Sequence, residues 1–429
     1  MRFTPFHSVL LLSLYFAEGF PAGLMVHVIP PVLREHGVPL EYIGLIKMLA
    51  FPWVLKFLWA PWVDRYNLFQ LGLHRGWIIT AIGVVSGLLL WLGSMHPGHL
   101  GAWGILFFML ILVCLNFGAA TQDIATDGLA VKLLPPPMRG WGNALQVGGY
   151  KVGMIVSASL LLMAIDKIGW GLSLYSMAAI LICCLIPILL FDERPLSETP
   201  ASDENLQDGE SKSPVSLALI LNTYLSFLRQ PGMIYWVAVL LLFKMPDSLA
   251  SGMIKPMLVD KGMSLSDVGV VTLLSSLVGV AAVFAGGGFY DRFGPRICLV
   301  SLSLLQALAL ALYSIVSGGA TDMPVVLAVA IFEQIVDSMA NVALFAMMMH
   351  YCRKEHEGAD FTLQACIQVI VSGAAGVFSG FVAKMLGYDG LFIAAGVISL
   401  LVASQVLHYF RMDPDAVREW RRLKEAPAE

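Results

Sequence analysis

Two pairs of carboxylates interrupt long apolar runs: Asp123 with Asp127, and Glu333 with Asp337. The members of each pair are four residues apart, which on an α-helix places them on one face. Carboxylates held this close repel, and a proton taken up by one relieves the repulsion, which is the chemistry of proton coupling. Gln122 adds a polar neighbour to the first pair, as Gln334 and Asn341 do to the second. A structural reading of the first pair stands beside the functional one: Asp123 and Asp127 could cap the cytoplasmic end of their helix and pair with Lys132 or Arg139. Glu333 and Asp337 lie farther from the nearest cytoplasmic cation, Arg353, which favours a role inside the protein. Glu18 is a further acid in an apolar run, beside Gly19 and Pro21. A carboxylate in hydrocarbon is costly unless it faces a cavity or a partner, so it reads either as a solute- or proton-handling group or as a residue wetted at an interface.

The cations available to an anionic ligand or a buried acid are Lys151, near Gln146 and Tyr150, and Lys244, although Lys244 could simply pair with Asp247 three residues on. Lys47 and Lys56 read as side chains that snorkel toward opposite interfaces. Glu18, Asp123, Asp127, Lys151, Lys244, Asp247, Glu333 and Asp337 are therefore the candidates for a cavity that handles solute and protons. Trp53, Trp59, Trp62, Trp77, Trp91 and Trp103 read as an interfacial belt. No G-x-x-x-x-G-K-[ST], H-E-x-x-H or G-x-S-x-G pattern occurs, so neither ATP hydrolysis nor another enzymatic activity is expected. The six cysteines lack metal-knuckle spacing, and His96 and His99 merely share a loop, so no metal and no cofactor is expected.

These groups sit in a chain of 429 residues that is 58% hydrophobic and only 13% charged. Soluble proteins carry about a quarter charged residues. That excludes an ordinary cytosolic enzyme and a disordered chain, and a net charge of -4 offers no surface for nucleic acid. Measured against a bilayer core of about 30 Å, the sequence predicts twelve transmembrane helices near 8–33, 41–61, 76–95, 102–131, 141–165, 170–191, 232–258, 266–289, 297–317, 324–350, 361–386 and 389–410. With the N-terminus inside, seventeen Lys and Arg residues between spans face the cytoplasm and only Arg34, Lys167 and Lys261 face out, which sets both termini in the cytoplasm. The fold class expected is an all-α membrane protein of two pseudo-symmetric six-helix bundles, 1–191 and 232–411. An acidic, Ser- and Pro-rich linker with an interfacial helix (192–231) joins them, and a cytoplasmic tail (412–429) follows.

The halves repeat. An offset of 225 pairs Pro21 with Pro246, Pro31 with Pro256, Gly37 with Gly262, Leu40 with Leu265 and Gly44 with Gly269; an offset of 210 lays Asp123 and Asp127 on Glu333 and Asp337. Asp64-Arg65 parallels Asp291-Arg292. Repeated halves around a midplane site are a device of secondary transporters. The stretch from Gly287 to Arg296 matches the G-x-x-x-D-R-x-G-x-R loop of the major facilitator superfamily, and its counterpart from Ala60 to Tyr66 is degenerate, lacking the first glycine. An Asp there can accept hydrogen bonds from a neighbouring helix N-terminus and pair with Arg, so Asp64, Arg65, Asp291, Arg292 and Arg296 are expected to gate.

Further stretches resemble the AmpG-like branch of that superfamily: Tyr15 to Pro21 (YFAEGFP), Trp53 to Arg65 (WVLKFLWAPWVDR), Ala120 to Asp127 (ATQDIATD) and Arg139 to Gly153. The resemblance implies a gradient-driven permease that imports muropeptides, ferric siderophores or acetyl-coenzyme A. The compact length is similar to the RhtX/FptX-type siderophore permeases, so the expectation is proton-coupled import of a bulky polar solute, a ferric siderophore first, by a monomer in the bacterial inner membrane. Uptake of muropeptide is the alternative, and a sensor on the same fold that moves nothing, using its linker to contact a cytoplasmic partner, is the second.

Overall fold

The computed structural model describes residues 3–29, 32–33, 51–95, 102–193 and 217–412, and every regular element within them is helical. Lys47, the first ten residues of the span expected over 41–61, the loop with His96 and His99, the acidic stretch from 194 to 214 and the tail from 413 lie outside the described residues.

Apolar side chains on every face make helices that only lipid or other helices can cover. Helix α1 (Pro5–Gly23) contains Pro21, which has no N–H for the Ala17 carbonyl, and the backbone then loosens into a π turn over Leu24–Val28. The next described segment is broken as well: α2 (Phe51–Leu55), a 3-10 turn (Lys56–Leu58) and α3 (Ala60–Arg65) follow one another, with Pro52 and Pro61 in the two α pieces. Then come α4 (Arg75–Ser94), α5 (Ala102–Leu133), α6 (Arg139–Ile168) and α7 (Trp170–Leu190). Beyond the linker lie α8 (Leu217–Leu228), α9 (Met233–Phe243), α10 (Met245–Asp260), α11 (Leu265–Ser317), α12 (Met323–His350) and α13 (Glu357–Met412).

Among the described residues, eight helical stretches are long and apolar enough to cross a membrane. Two of these are double: α11 turns at Gly294, with φ of 82°, and α13 at Gly387, with φ of 71°. Only glycine takes that left-handed backbone at little cost, so each marks a turn between two spans where the sequence reading placed one. Exposed Leu172, Val377 and Phe381 belong to the apolar outer surface such spans require.

The chain forms two compact units. The first comprises 1–134, 149–226 and 352–363, and the second 135–148, 227–351 and 364–429. The units thus divide at helix starts as well as near the linker. In the first unit α1 and α4 each pack on α5 and α7. Where α1 crosses α6, Gly19, Gly149 and Gly153 let the backbones approach, and a Cβ on Gly153 would come within 3.0 Å of the Phe16 carbonyl carbon. The second unit is built on α11 against α12. Its core joins Leu249, Leu258, Leu310 and Leu391, and Tyr313 stacks on Phe392 at 5.4 Å between centroids. Overpacking the α1–α6 crossing gives a direct test: Gly153→Leu should destabilise the first unit by roughly 1–3 kcal/mol, read as a lower melting temperature in detergent.

Candidate functional site

In the first unit, four chemically active side chains converge from three helical segments. Glu18 on α1 is only 4% exposed, and Asp123 and Asp127 on α5 are equally enclosed. Lys56, at the 3-10 break, is 3% exposed and forms an ion pair with Asp123. The Tyr15 hydroxyl donates to Asp127 at 3.0 Å. Lys56 also lies 5.4 Å from the centre of the Trp53 ring. Trp53 and Trp59 donate to Asn116 and Thr121 on α5, at 3.0 and 3.2 Å, and so tie the broken segment to that helix.

The second unit assembles the same inventory from other positions. Lys244 stands at the break between α9 and α10, where it pairs with Asp247 at 2.9 Å and also with Asp337 on α12. Asn341 donates to both oxygens of Asp337 at 3.1 Å, and Glu333 is buried one turn away beside Gln334. Each unit therefore sets three acids against one paired lysine.

Toward the ends of the spans, two aspartates do one job. Asp64 accepts the N–H groups of Gly358 and Ala359, in the first turn of α13, at 3.0 and 2.6 Å. Asp291 accepts those of Gly140 and Trp141, in the first turn of α6, at 2.8 and 2.9 Å. Both carboxylates lie where the positive end of a helix has unsatisfied donors. Each cap is internal to one compact unit. A Cβ on Gly140 would meet Asp291 at 2.5 Å, and one on Gly358 would meet Asp64 at 2.6 Å, so the capped turns need glycine. Asp64 has a further neighbour in His74, wholly buried at 3.4 Å, whose other ring nitrogen lies 2.9 Å from Glu193. Glu193 also accepts the backbone N–H groups of His74 and Arg75, at 3.0 and 2.9 Å. Burial on its own lowers the His74 pKa, but the hydrogen bonds to Asp64 and Glu193 outweigh it and hold it above its ordinary 6.5. Burial raises Glu193, and its bonds with His74 and Arg75 reverse that, leaving it below its ordinary 4.5.

Known proteins match along the chain. The profile of a family described as "Acetyl-coenzyme A transporter 1" matches residues 7–168, and that of the "Major Facilitator Superfamily" matches 241–428. The anhydromuropeptide permease of Escherichia coli (strain K12) is 28% identical over 96% of this chain and 82% of its own length. The putative transporter AmpG 4 of Rickettsia conorii is 20% identical over 89% of this chain and 91% of its own. The crystal structure of a bacterial homologue of the iron transporter ferroportin superposes with a TM-score of 0.69 at 13% identity, covering 96% of this chain and 100% of that one, which is a likeness of fold alone. Over nearly its whole length the chain is similar to the AmpG-like branch of the major facilitator superfamily. It is a multi-pass membrane transporter and not an enzyme.

The first expectation of a ferric siderophore gains no support, because among the relatives matched along nearly the whole chain those whose names state a substrate are anhydromuropeptide permeases. The capping alternative for Asp123 and Asp127 is corrected: α5 runs on to Leu133, Asp123 faces Lys56, and Lys132 reaches Glu357 at 3.9 Å instead. Lys56 does not snorkel, since Asp123 and the surrounding helices enclose it. The pairing of Lys244 with Asp247 holds, but Asp337 shares that lysine. Lys151 follows Tyr150 on α6 and is half-buried, Arg65 is half-buried, and Arg292 and Arg296 are exposed. The second residue of the linker expected from 192, Glu193, is anchored rather than free chain. His74 and Glu193 escaped the sequence reading because no motif spacing joins them; the only signal is a histidine and a glutamate at the edges of apolar runs.

Two outcomes follow from the caps. Gly358→Ala and Gly140→Ala should each lower stability by about 1–2 kcal/mol through loss of cap geometry, measured by thermal unfolding in detergent. The His74–Glu193 contact sets a pH window. The His74 contribution is complete below about pH 6.5 and is lost as pH rises through its higher folded value, while that of Glu193 is complete above about pH 4.5 and is lost as pH falls. The melting temperature should therefore drop as pH rises above about 6.5, and His74→Gln should flatten that slope.

Proposed function

We propose that this transporter imports anhydromuropeptide, coupled to protons, across the bacterial inner membrane, as a monomer with both termini in the cytoplasm. The observation that carries the reading is the similarity to the E. coli anhydromuropeptide permease over 96% of the chain. Proton coupling draws its support from the buried clusters. Three carboxyls around one ammonium cannot all be ionised in a low-dielectric interior without large repulsion, so each cluster is a place where protons are held and released. Glu18, Asp123 and Asp127 serve in the first unit and Asp247, Glu333 and Asp337 in the second, with Lys56 and Lys244 as counter-ions and Lys151 beside Tyr150. Asp64 and Asp291, flanked by Arg65, Arg292 and Arg296, act as latches: each holds a helix N-terminus by two charge-assisted hydrogen bonds, and releasing it exposes a carboxylate and two N–H groups together. A favourable contact that is made in one state and broken in another is what a gate requires.

Cells lacking their own permeases and expressing this chain should accumulate labelled anhydromuropeptide, and a protonophore should abolish the accumulation. Glu333→Gln and Asp337→Asn should keep the protein in the membrane yet prevent accumulation against a gradient. Labelled ferric siderophore and acetyl-coenzyme A serve as the competing substrates. Accumulation of either in place of muropeptide would overturn the substrate assignment, and transport of none by well-expressed protein would favour a sensor.

A further inference from the structure

Just ahead of α4, one imidazole is sealed between two carboxylates. His74 is wholly buried, with Nδ1 2.9 Å from Glu193 and Nε2 3.4 Å from Asp64. Glycine makes room for this bridge at both ends. A Cβ on Gly128 of α5 would stand 2.4 Å from Nε2 of the ring, and one on Gly72, whose φ is 119°, would stand 2.5 Å from the Glu193 carboxylate. The ring therefore lies against bare backbone of α5, and the Gly358 nitrogen that Asp64 holds borders the same glycine.

Both carboxylates are committed as acceptors. Asp64 takes the N–H of Gly358 on one oxygen and that of Ala359 on the other, at 3.0 and 2.6 Å. Glu193 takes the backbone N–H of His74 on both oxygens, at 3.2 and 3.0 Å, and that of Arg75 at 2.9 Å. A neutral imidazole carries one N–H and one lone pair, so it would turn that lone pair toward one of these carboxylates. An imidazolium donates from both nitrogens and suits both neighbours. The other charges near the ring are Lys132 on α5 and Glu357 in the first turn of α13, opposite in sign and 3.9 Å apart. The guanidinium of Arg75 turns to the carbonyls of Ile188 and Leu189. The direction of the His74 pKa, above its ordinary 6.5, agrees with this geometry.

We propose that His74 is the positioning residue of the Asp64 latch: as an imidazolium it ties Asp64 to Glu193 and aims it at the start of α13, and when its proton leaves, the hold on α13 loosens. The inference rests on the reading of Asp64 as a latch and supplies its control. Once the ring is neutral, two buried carboxylates face each other across it with no cation between them, and the capped arrangement loses its advantage over the uncapped one. A state held more tightly is left more slowly, so an acidic cytoplasm keeps the latch engaged and an alkaline one frees it. Under the proposed import with protons, protons that accumulate in the cytoplasm slow their own entry.

The test reads the cap directly, in the full chain in detergent, by hydrogen exchange and mass spectrometry of the segment that contains Gly358 and Ala359. After correction for the intrinsic pH dependence of exchange, protection of that segment in the wild type should fall roughly tenfold as pH rises above about 6.5, the difference between a charge-assisted and a neutral hydrogen bond. His74→Gln, a neutral side chain, should show the alkaline level at every pH. Glu193→Gln removes one of the two charges that favour the proton and should move the fall to lower pH, which decides the same question should His74→Gln not fold. In proteoliposomes at equal pH on both sides, counterflow of labelled anhydromuropeptide should quicken over the range in which protection falls, a rise that His74→Gln should lack. Protection that is flat with pH in the wild type, or that falls equally in both variants, would overturn the role of His74. Protection that behaves as expected while counterflow ignores His74 would overturn its control of the gate. The expected protection with no transport of the probe at any pH would instead overturn the muropeptide reading and support the tie between His74 and Asp64.

Discussion

A carboxylate taken out of water must be given a cation, a proton or a set of N–H donors, and this requirement organises the molecule. Asp123 and Asp337 are given lysines, Asp64 and Asp291 are given the open N–H groups of a helix start, and Glu193 is given an imidazole together with two backbone donors. The apolar helices around them decide how strictly the rule applies. Because lipid and packed side chains exclude water, each acid that lacks its partner for part of a transport cycle stores free energy, and that energy is available to drive the next step.

Much of this was legible in the residues. The i, i+4 spacing of the acids, their recurrence at one offset and the Asp-Arg motif in both halves locate the buried clusters and the two caps. What the sequence did not carry is the direction in which a side chain turns. Lys56 stands shortly before the Asp-Arg motif at the end of a span, where an outward reach would be ordinary; the 3-10 turn that enfolds it has no signal beyond the flanking Pro52 and Pro61. Trp53 and Trp59 read as interfacial by position, yet their indole N–H groups are committed to α5. Glu193 reads as the start of a soluble linker because its neighbours downstream are acidic, and its true environment depends on His74, more than a hundred residues earlier.

The internal repeat is preserved unevenly. The acids of α5 and α12 keep their register, and the capping aspartates bind the same two N–H positions of their respective helices. The lysines do not correspond, since Lys56 lies in the segment before α3 and Lys244 between α9 and α10, and they choose different members of the paired acids. A duplicated scaffold has thus kept its acids and diverged in its bases.

The caps also impose an order on biosynthesis. Asp291 closes on residues made 151 positions earlier, so its partner helix is already present when the motif emerges. Asp64 must wait for residues 294 positions downstream, which at ribosomal rates is roughly 15–60 s. Until then the first unit carries an acid and its buried histidine without the helix they are built to hold. The nascent chain therefore completes that unit only when its last long helix has begun to enter the membrane, and a ribosome that stalls before residue 358 leaves behind a first half that cannot reach its finished form by itself.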